Sequence, residues 1–304
     1  PANENLRYSH ALLLEEMGHN DECKAMMASL ANSNKYVPAI EWLCKQEFQK
    51  IRKTGFTDTS SDELILHWLD VIFTQQPRKL DANFLLGSLH LARQRFSTAI
   101  APLAIVVQDR PNFGPGLIAL ASAYKGSQQP GLAQKYASRA ADAFAAERAT
   151  KPNDETLLTQ SVQALTLAAR ESEAIVQIND YLNLDSSKLK QMRWLQGDVY
   201  AAWTRRRMRE EAGSAQGLAE AAHLIFEALK ISPANPRVIE QLGIVACDID
   251  MANDEFEAKL LSALDAGASP AMIHFILGTR QLLQDRPEEA QRHFSIAQQQ
   301  QQAM

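Results

Sequence analysis

The amino-acid sequence predicts an all-α protein built from repeated pairs of helices. Three observations lead to this prediction: a two-helix motif returns about every 34 residues, β-branched runs are scarce, and only 13 Gly and 12 Pro interrupt the 304 residues. Ala, Leu and Gln, which favour helices, are plentiful. A fixed period of this length indicates a solenoid, in which each repeat packs mainly on its neighbours.

The clearest copy of the motif carries Gly87, Ala99 and Pro111, spaced twelve residues apart. A small residue in the first helix allows the second helix to approach closely. The proline ends the second helix and starts the next repeat. Gly278 and Ala290 repeat the first interval near the end of the chain. This spacing therefore predicts tightly packed helix pairs.

In other repeats only one of the two twelve-residue intervals is kept. Two pairs keep the second twelve-residue interval after a longer first interval: Ala221 with Pro233, and Ala258 with Pro270. Such one-sided stretching is typical of a loop inserted into a helical array. We therefore expect insertions near 203–216 and 251–254, and a lengthened second helix over 132–150.

The spacing of these Gly, Ala and Pro residues resembles the motif of the tetratricopeptide repeat (TPR) family, whose repeat is a helix–turn–helix of about 34 residues. The resemblance implies a right-handed α-solenoid and covers nearly the whole chain. It implies a single array over 1–304 with these approximate units: 4–37, 38–79, 80–113, 114–153, 154–187, 188–235, 236–270 and 271–304. The first two units are degenerate, with Cys23 in the place of the small alanine and a polar loop from Gly55 to Asp62.

The two ends of the sequence suggest a segment of a longer protein. The chain begins at Pro1 rather than Met, and its last unit resembles a regular interior repeat. A free-standing array usually carries a terminal helix with a polar outer face. We therefore expect the natural chain to continue past Met304.

The amino-acid composition limits which partners and which cellular compartment are expected. The formal net charge is −5, whereas proteins that bind nucleic acids generally carry a basic surface. A nucleic-acid partner is therefore not expected. No apolar run reaches the ~20 residues of a membrane span. We expect no membrane span in this segment, and a soluble segment for which the cytoplasm and the periplasm both stay open.

One basic stretch and the cysteines each leave an alternative open. Arg205 to Arg209 is rich in arginine and runs into Glu210 and Glu211, which favours a solvated helix face over a phosphate or anionic-lipid site. The three cysteines are odd in number and widely spaced, so they predict neither a disulfide framework nor a zinc site. A bridge between Cys23 and Cys44 stays possible on spacing.

Catalytic motifs are missing from the sequence. The seven histidines form no H-E-x-x-H pair, and there is no G-x-S-x-G, no Walker-type phosphate loop and no G-x-G-x-x-G. We therefore predict that the chain is not an enzyme and has no cofactor and no metal site.

The resemblance implies a binding surface on the first helices, which line the concave face of such an array and commonly hold a peptide or a partner helix. On helical phase, the candidates for this groove are Phe84, Ser88, Leu91, Ile118, Ser122, Lys125, Trp194, Asp198, Phe275, Thr279 and Leu282. Each of them could equally be buried against a neighbouring unit. One TPR subclass binds the C-terminal carboxylate of a chaperone through Lys, Asn and Arg; with a single Lys among the candidates, that subclass is not expected.

The sequence thus favours a non-catalytic protein–protein interaction scaffold. Its predicted ligand is an amphipathic helix or an apolar peptide in the concave groove, with aromatic anchors supplying most of the binding energy. The alternative is a structural or self-assembling segment of a larger, envelope-anchored TPR protein, with a homo-oligomer as the assembled form. The sequence does not identify the partner or the pathway.

Overall fold

The computed structural model describes residues 2–248 and 251–302, and these contain sixteen α-helices, one short 3₁₀ helix and no strand. The α-helices are α1 Ala2–Glu16, α2 Asn20–Asn34, α3 Val37–Lys53, α4 Asp62–Gln75, α5 Leu80–Ala92, α6 Phe96–Asp109, α7 Gly114–Gly126, α8 Pro130–Arg148, α9 Glu155–Leu167, α10 Glu171–Leu184, α11 Leu189–Glu210, α12 Ala215–Ile231, α13 Pro236–Val245, α14 Asn253–Asp265, α15 Pro270–Leu283 and α16 Pro287–Gln302. The 3₁₀ helix, Ser186–Lys188, lies between α10 and α11. The all-α prediction is confirmed. Parts of two predicted units, at 249–250 and 303–304, and residue 1 of the predicted array lie outside the described residues.

The helices form two compact units, the first ending at Ala143 and the second beginning at Phe144, so that the division falls inside α8. Within the units, consecutive helices pack as pairs: α1 with α2, α3 with α4, α5 with α6, α9 with α10, α11 with α12, and α15 with α16. We call the odd-numbered helices first helices and the even-numbered ones second helices.

Small residues close the helix pairs, as the twelve-residue spacing predicts. A Cβ atom at Gly87 would overlap the side chain of Leu103 on α6, and one at Gly278 would lie 2.7 Å from Phe294 on α16. Ala99, the small residue twelve positions after Gly87 in the motif, is fully buried. Because a larger side chain at these positions would force the two helices apart, the small residues determine how closely each pair packs.

Each unit has its own apolar core between the helix pairs. In the first unit this core includes Leu30, Ile40, Ile65 and Leu89. In the second it includes Leu229, Leu242, Phe256, Leu260 and Ile276. These residues come from helices of successive pairs, so each core is continuous from one pair to the next.

Several turns between first and second helices share one backbone conformation. Gln94, Gln128, Ala169 and Asp285 have φ between 55° and 62°. This left-handed region is unfavourable for residues with a side chain. In the first of these turns the N–H of Arg95 donates to the carbonyl of His90 at 2.8 Å. The left-handed residue therefore reverses the chain tightly and satisfies the last carbonyls of the first helix.

The predicted loop insertion near 203–216 is mostly helix. α11 continues to Glu210 and has 22 residues, because Arg206 pairs with Glu210 at 2.7 Å and Arg207 pairs with Glu211 at 2.9 Å along it. Ion pairs four residues apart support an extended helix. The lengthened second helix expected over 132–150 is α8, Pro130–Arg148.

The three cysteines all lie in the described residues and are free, so Cys23 and Cys44 form no bridge. Both of these side chains are buried, whereas Cys247 is exposed. None of the described helices combines the length and the apolar character needed to cross a membrane.

Candidate functional site

The predicted groove residues lie on four first helices, and the structure exposes them to very different degrees. Trp194 on α11 is 40% exposed and Phe275 on α15 is 55% exposed. Ile118 on α7 is only 8% exposed, so its side chain belongs to the core of the first unit. The partly exposed candidates are Phe84, Ser88, Leu91, Ser122, Asp198 and Thr279; Lys125 and Leu282 are exposed.

In the first unit, Phe84 and Ser88 line one cleft between two first helices. This α3–α5 cleft has a volume of about 320 Å³ and is lined by Lys45, Phe48, Gln49, Arg52, Asp81, Phe84, Leu85 and Ser88. An ion pair joins its two helices, from Lys45 Nζ to Asp81 Oδ2 at 3.1 Å. Phe84 packs edge-on against Phe113, with 5.4 Å between ring centroids. Lys45, Asp81 and Phe84 therefore already have partners within the unit. Arg52, which also lines the cleft, is exposed and has no ion pair among the described residues.

In the second unit, Trp194 and Asp198 line a larger cleft. This α9–α11 cleft has a volume of about 610 Å³ and is lined by Thr159, Ser187, Lys188, Lys190, Gln191, Met192, Trp194, Leu195 and Asp198. The 3₁₀ helix forms one end of it. Lys188 pairs with Glu155 on α9 at 3.1 Å, and Gln191 donates to the same carboxylate. These contacts tie α9 to the start of α11.

Asn235 supports the α9–α11 cleft from the next helix pair. Its side chain is fully buried and donates to the backbone carbonyl of Trp194 at 3.0 Å and to Asp198 Oδ1 at 2.9 Å. Its own oxygen accepts from the N–H of Arg237 and caps α13. Arg237 in turn pairs with Asp198 at 2.6 Å. One buried amide thus holds the helix turn that presents Trp194.

The predicted residues of α15 form an exposed apolar stripe. Phe275 and Leu282 are joined on this surface by Met272 and Leu283, which are also exposed. Phe275 lies against Phe294 of α16 with 5.9 Å between ring centroids. Because the stripe is contiguous along one helix, it is a candidate for contact with another molecule.

Three arginines each bind the turn of the preceding helix pair: Arg93, directly after the end of α5, Arg206 on α11 and Arg280 on α15. The sequence analysis singled out only the stretch that contains Arg206, and it favoured a solvated helix face there. Arg93 binds Asp62 at 2.6 Å, Arg206 binds Glu171 at 2.8 Å, and Arg280 binds the carbonyl of Met251 at 2.7 Å. They stand six residues after Gly87, nine after Gly197 and two after Gly278, so they share no register. For that reason no repeat spacing could have found them.

Titratable side chains offer little for metal or nucleophilic chemistry. Within residues 2–248 and 251–302, no group of three or more His, Cys, Asp or Glu side chains is placed to hold a metal ion. Burial raises the pKa of the Cys44 thiol to about 12, which keeps it protonated and unreactive at neutral pH. His274 and His293 place their Nδ1 atoms 3.0 Å apart between α15 and α16, a contact that holds these two helices together.

Comparison with known proteins finds only distantly similar solved structures. No protein-family model and no curated protein matches the chain. Among solved structures, a tetratricopeptide repeat protein from Parabacteroides merdae ATCC 43184 is 8% identical, covers 96% of this chain and 100% of its own, and has a TM-score of 0.48. PilW, described as a widely conserved type IV pilus biogenesis factor, is 14% identical, covers 80% and 99%, and has a TM-score of 0.49. The human IFIT1 dimer with m7Gppp-AAAA is 14% identical, covers 97% and 77%, and has a TM-score of 0.42.

The chain is a helical repeat protein, as the sequence pattern predicts. Its own packing carries this statement: successive helix pairs, small residues at the contact within a pair, and shared turn geometry. The similarities to the three solved structures are too distant to transfer a ligand or a partner to this repeat protein.

Proposed function

We propose that this repeat protein is a non-catalytic protein-interaction scaffold that binds a peptide or a partner helix along its first helices. The observation that carries the proposal is the exposure of two large aromatic side chains, Trp194 and Phe275, on first helices. Phe144 and Phe256, by contrast, are almost fully buried. Aromatic side chains that remain open to solvent beside a cleft are typical anchors of protein interfaces.

A panel of single substitutions on the two kinds of helix tests this proposal. Phe84→Ala, Trp194→Ala and Phe275→Ala remove aromatic rings from first helices. Leu64→Ala, Leu132→Ala and Val176→Ala remove exposed apolar groups from second helices and serve as matched controls.

The readout is quantitative affinity capture from native lysate, with the captured proteins measured by mass spectrometry. We expect at least one first-helix variant to lose about tenfold or more of the capture of a given protein. The second-helix variants should retain it. Capture that is unchanged in all three first-helix variants, or lost only in second-helix variants, would contradict the proposal. Circular dichroism of each variant separates lost binding from lost folding.

A second candidate function, self-assembly, is favoured by the exposed stripe on α15. Met272, Phe275, Leu282 and Leu283 would be covered if two copies associated through this helix. Light scattering over a concentration series tests this candidate, with Leu282→Lys as the variant that should dissociate an assembly. A mass equal to one chain at every concentration would exclude self-assembly of the chain.

A further inference from the structure

The charged side chains that line the α9–α11 cleft are Lys188, Lys190 and Asp198. Lys188 and Arg237 have acidic partners, Glu155 and Asp198, at 3.1 and 2.6 Å. Lys190, which lines the cleft, and Arg193, on the same turn of α11, are exposed, and no ion pair to either is found in the described part of the chain. Lys190 is therefore a cation that lines the cleft without an ion pair among the described residues, in a chain whose net charge is −5.

Apolar groups line the same cleft as Lys190. Trp194, which is 40% exposed, lines it together with Met192 and Leu195. The surface therefore combines an aromatic ring, aliphatic groups and positive charge within about ten residues of sequence.

The walls of the cleft are held by contacts within the unit. Asp185 accepts from the N–H of Ser187 at 3.0 Å and from its hydroxyl at 2.6 Å, which shapes the 3₁₀ helix. Glu155 binds Lys188 and Gln191, and Asn235 binds the carbonyl of Trp194. A surface that is already ordered loses little conformational entropy when a ligand binds.

A neighbouring cleft between α11 and α12 shows the contrast. It too contains aromatic rings, Tyr200 and Trp203, and two arginines. Arg206, however, is paired with Glu171 and Glu210, and Arg207 with Glu220 and Glu211. A carboxylate arriving there would have to displace an existing partner, whereas at Lys190 it would not.

We propose that the α9–α11 cleft binds an acidic, amphipathic segment of a partner protein. An aliphatic or aromatic side chain of that segment packs on Trp194, and a carboxylate of the segment pairs with Lys190. The inference rests on the proposed scaffold function and specifies the chemistry of the ligand. A nucleic-acid strand fits less well, because one free cation in the cleft neutralises few phosphates and the net charge of −5 repels the strand.

A phage library of random 16-residue peptides, panned on the 304-residue chain, tests the inference. Enriched peptides are synthesised with a fluorophore, and their Kd values are measured by fluorescence anisotropy. We expect enrichment of Asp and Glu together with Leu, Phe or Trp. Trp194→Ala and Lys190→Glu should each raise Kd about tenfold or more, and added salt should weaken binding.

Two matched controls accompany these variants. Arg292→Glu, on exposed α16, makes the same change of net charge as Lys190→Glu, and Val176→Ala removes an apolar group that is 57% exposed on α10. Both should leave Kd within about twofold. Thermal unfolding followed by circular dichroism verifies that every variant is folded, and Lys190→Glu, on the surface, keeps the test valid if Trp194→Ala unfolds.

The contradicting outcomes separate the inference from the scaffold function. Enriched peptides that are neutral or basic, or that bind Trp194→Ala and Lys190→Glu as tightly as the unchanged chain, overturn the inference. If those peptides instead respond to Phe84→Ala or Phe275→Ala, the scaffold function stands and only the assignment of this cleft fails. A library from which no peptide is enriched counts against both.

Discussion

The α3–α5 cleft of the first unit and the α9–α11 cleft of the second unit occupy the same kind of position, between two neighbouring first helices. They differ in what they leave open. In the first, Lys45 pairs with Asp81 across the cleft and Phe84 packs on Phe113, so that Arg52 is the lining cation left without an ion pair in the described part of the chain. In the second, Lys190 lacks an ion pair among the described residues and Trp194 faces solvent. A common place in the repeat therefore does not produce a common surface.

The difference arises from side chains outside the repeat pattern. In the second unit, the buried amide of Asn235 reaches back to α11, so that the turn carrying Trp194 is held by the next helix pair. In the first unit, the buried amide of Asn83 donates to Lys79 and Pro77, close to it in sequence. One contact couples two repeats, and the other stabilises the start of a single helix. Binding at the α9–α11 cleft should therefore depend on a residue that does not line it.

The largest expected effect comes from removing that coupling. Asn235→Ala deletes the hydrogen bonds to Trp194 and Asp198 and the cap of α13, and should lower the free energy of unfolding by about 2–3 kcal/mol. Asn83→Ala, the matched change in the first unit, should cost about 1 kcal/mol, because it removes only local bonds. Urea unfolding at constant pH measures both. Equal losses for the two variants would mean that the coupling between repeats contributes nothing extra.

A smaller effect concerns pH. Burial, followed by the neighbouring His293, holds the pKa of His274 below its usual value; Glu257, on α14, acts in the opposite direction. A histidine whose pKa is lowered by folding binds its proton more readily in the unfolded chain. Its favourable contribution is present at neutral pH and is lost as the pH falls through the unfolded pKa of about 6.5. We therefore expect Tm to fall by a few degrees between pH 7.5 and 5.5.

Substitutions of histidine sharpen this comparison between the units. His274→Gln should flatten the pH dependence, whereas His223→Gln, on an exposed surface of α12, should not. In the first unit, burial and then Arg95 lower the pKa of His90, so His90→Gln should act in the same direction. Calorimetric Tm values at the two pH values provide the measurement. If the Tm of His274→Gln changes with pH as much as that of the unchanged chain, His274 is not the cause of the pH dependence.

The smallest expected effect tests whether the α3–α5 cleft can be converted into a binding site for acidic peptides. Asp81→Asn leaves Lys45 without its partner across the cleft, so acidic peptides should bind there about two- to fivefold more tightly. The free energy of unfolding should change by less than about 1 kcal/mol, because both side chains are about half exposed. Anisotropy with an acidic amphipathic peptide measures the gain, and Asp70→Asn, on exposed α4, is the control. Equal affinity in both variants would show that the ion pair does not close the cleft.

The sequence predicted some elements well and others poorly, for physical reasons. Gly87 and Gly278 marked the contacts within helix pairs, because the steric requirement for a small residue repeats with the helices. The stretch at 203–216 was predicted as a loop, since the extra residues alone do not reveal whether a helix continues through them. The i,i+4 ion pairs of Arg206 and Arg207 decide that it does.

The same distinction applies to the candidate surface. Helical phase selected Trp194 and Phe275, which are exposed, and also Ile118, which is buried. The helical periodicity shows which residues share one face of a helix, whereas the exposure of that face depends on the helices packed around it. The open faces of Trp194 and Lys190 depend on which side chains of neighbouring pairs reach them.

The sequence by itself determined the all-α class and the packing within helix pairs, because helical periodicity and small residues at fixed spacing act over distances within one repeat. Only the tertiary structure decided which first helices remain open and which turns are held by Arg93, Arg206 and Arg280. Those contacts join residues about 30 or more positions apart and follow no common register. Their energies depend on the burial and direction of individual side chains, which a repeat pattern does not encode.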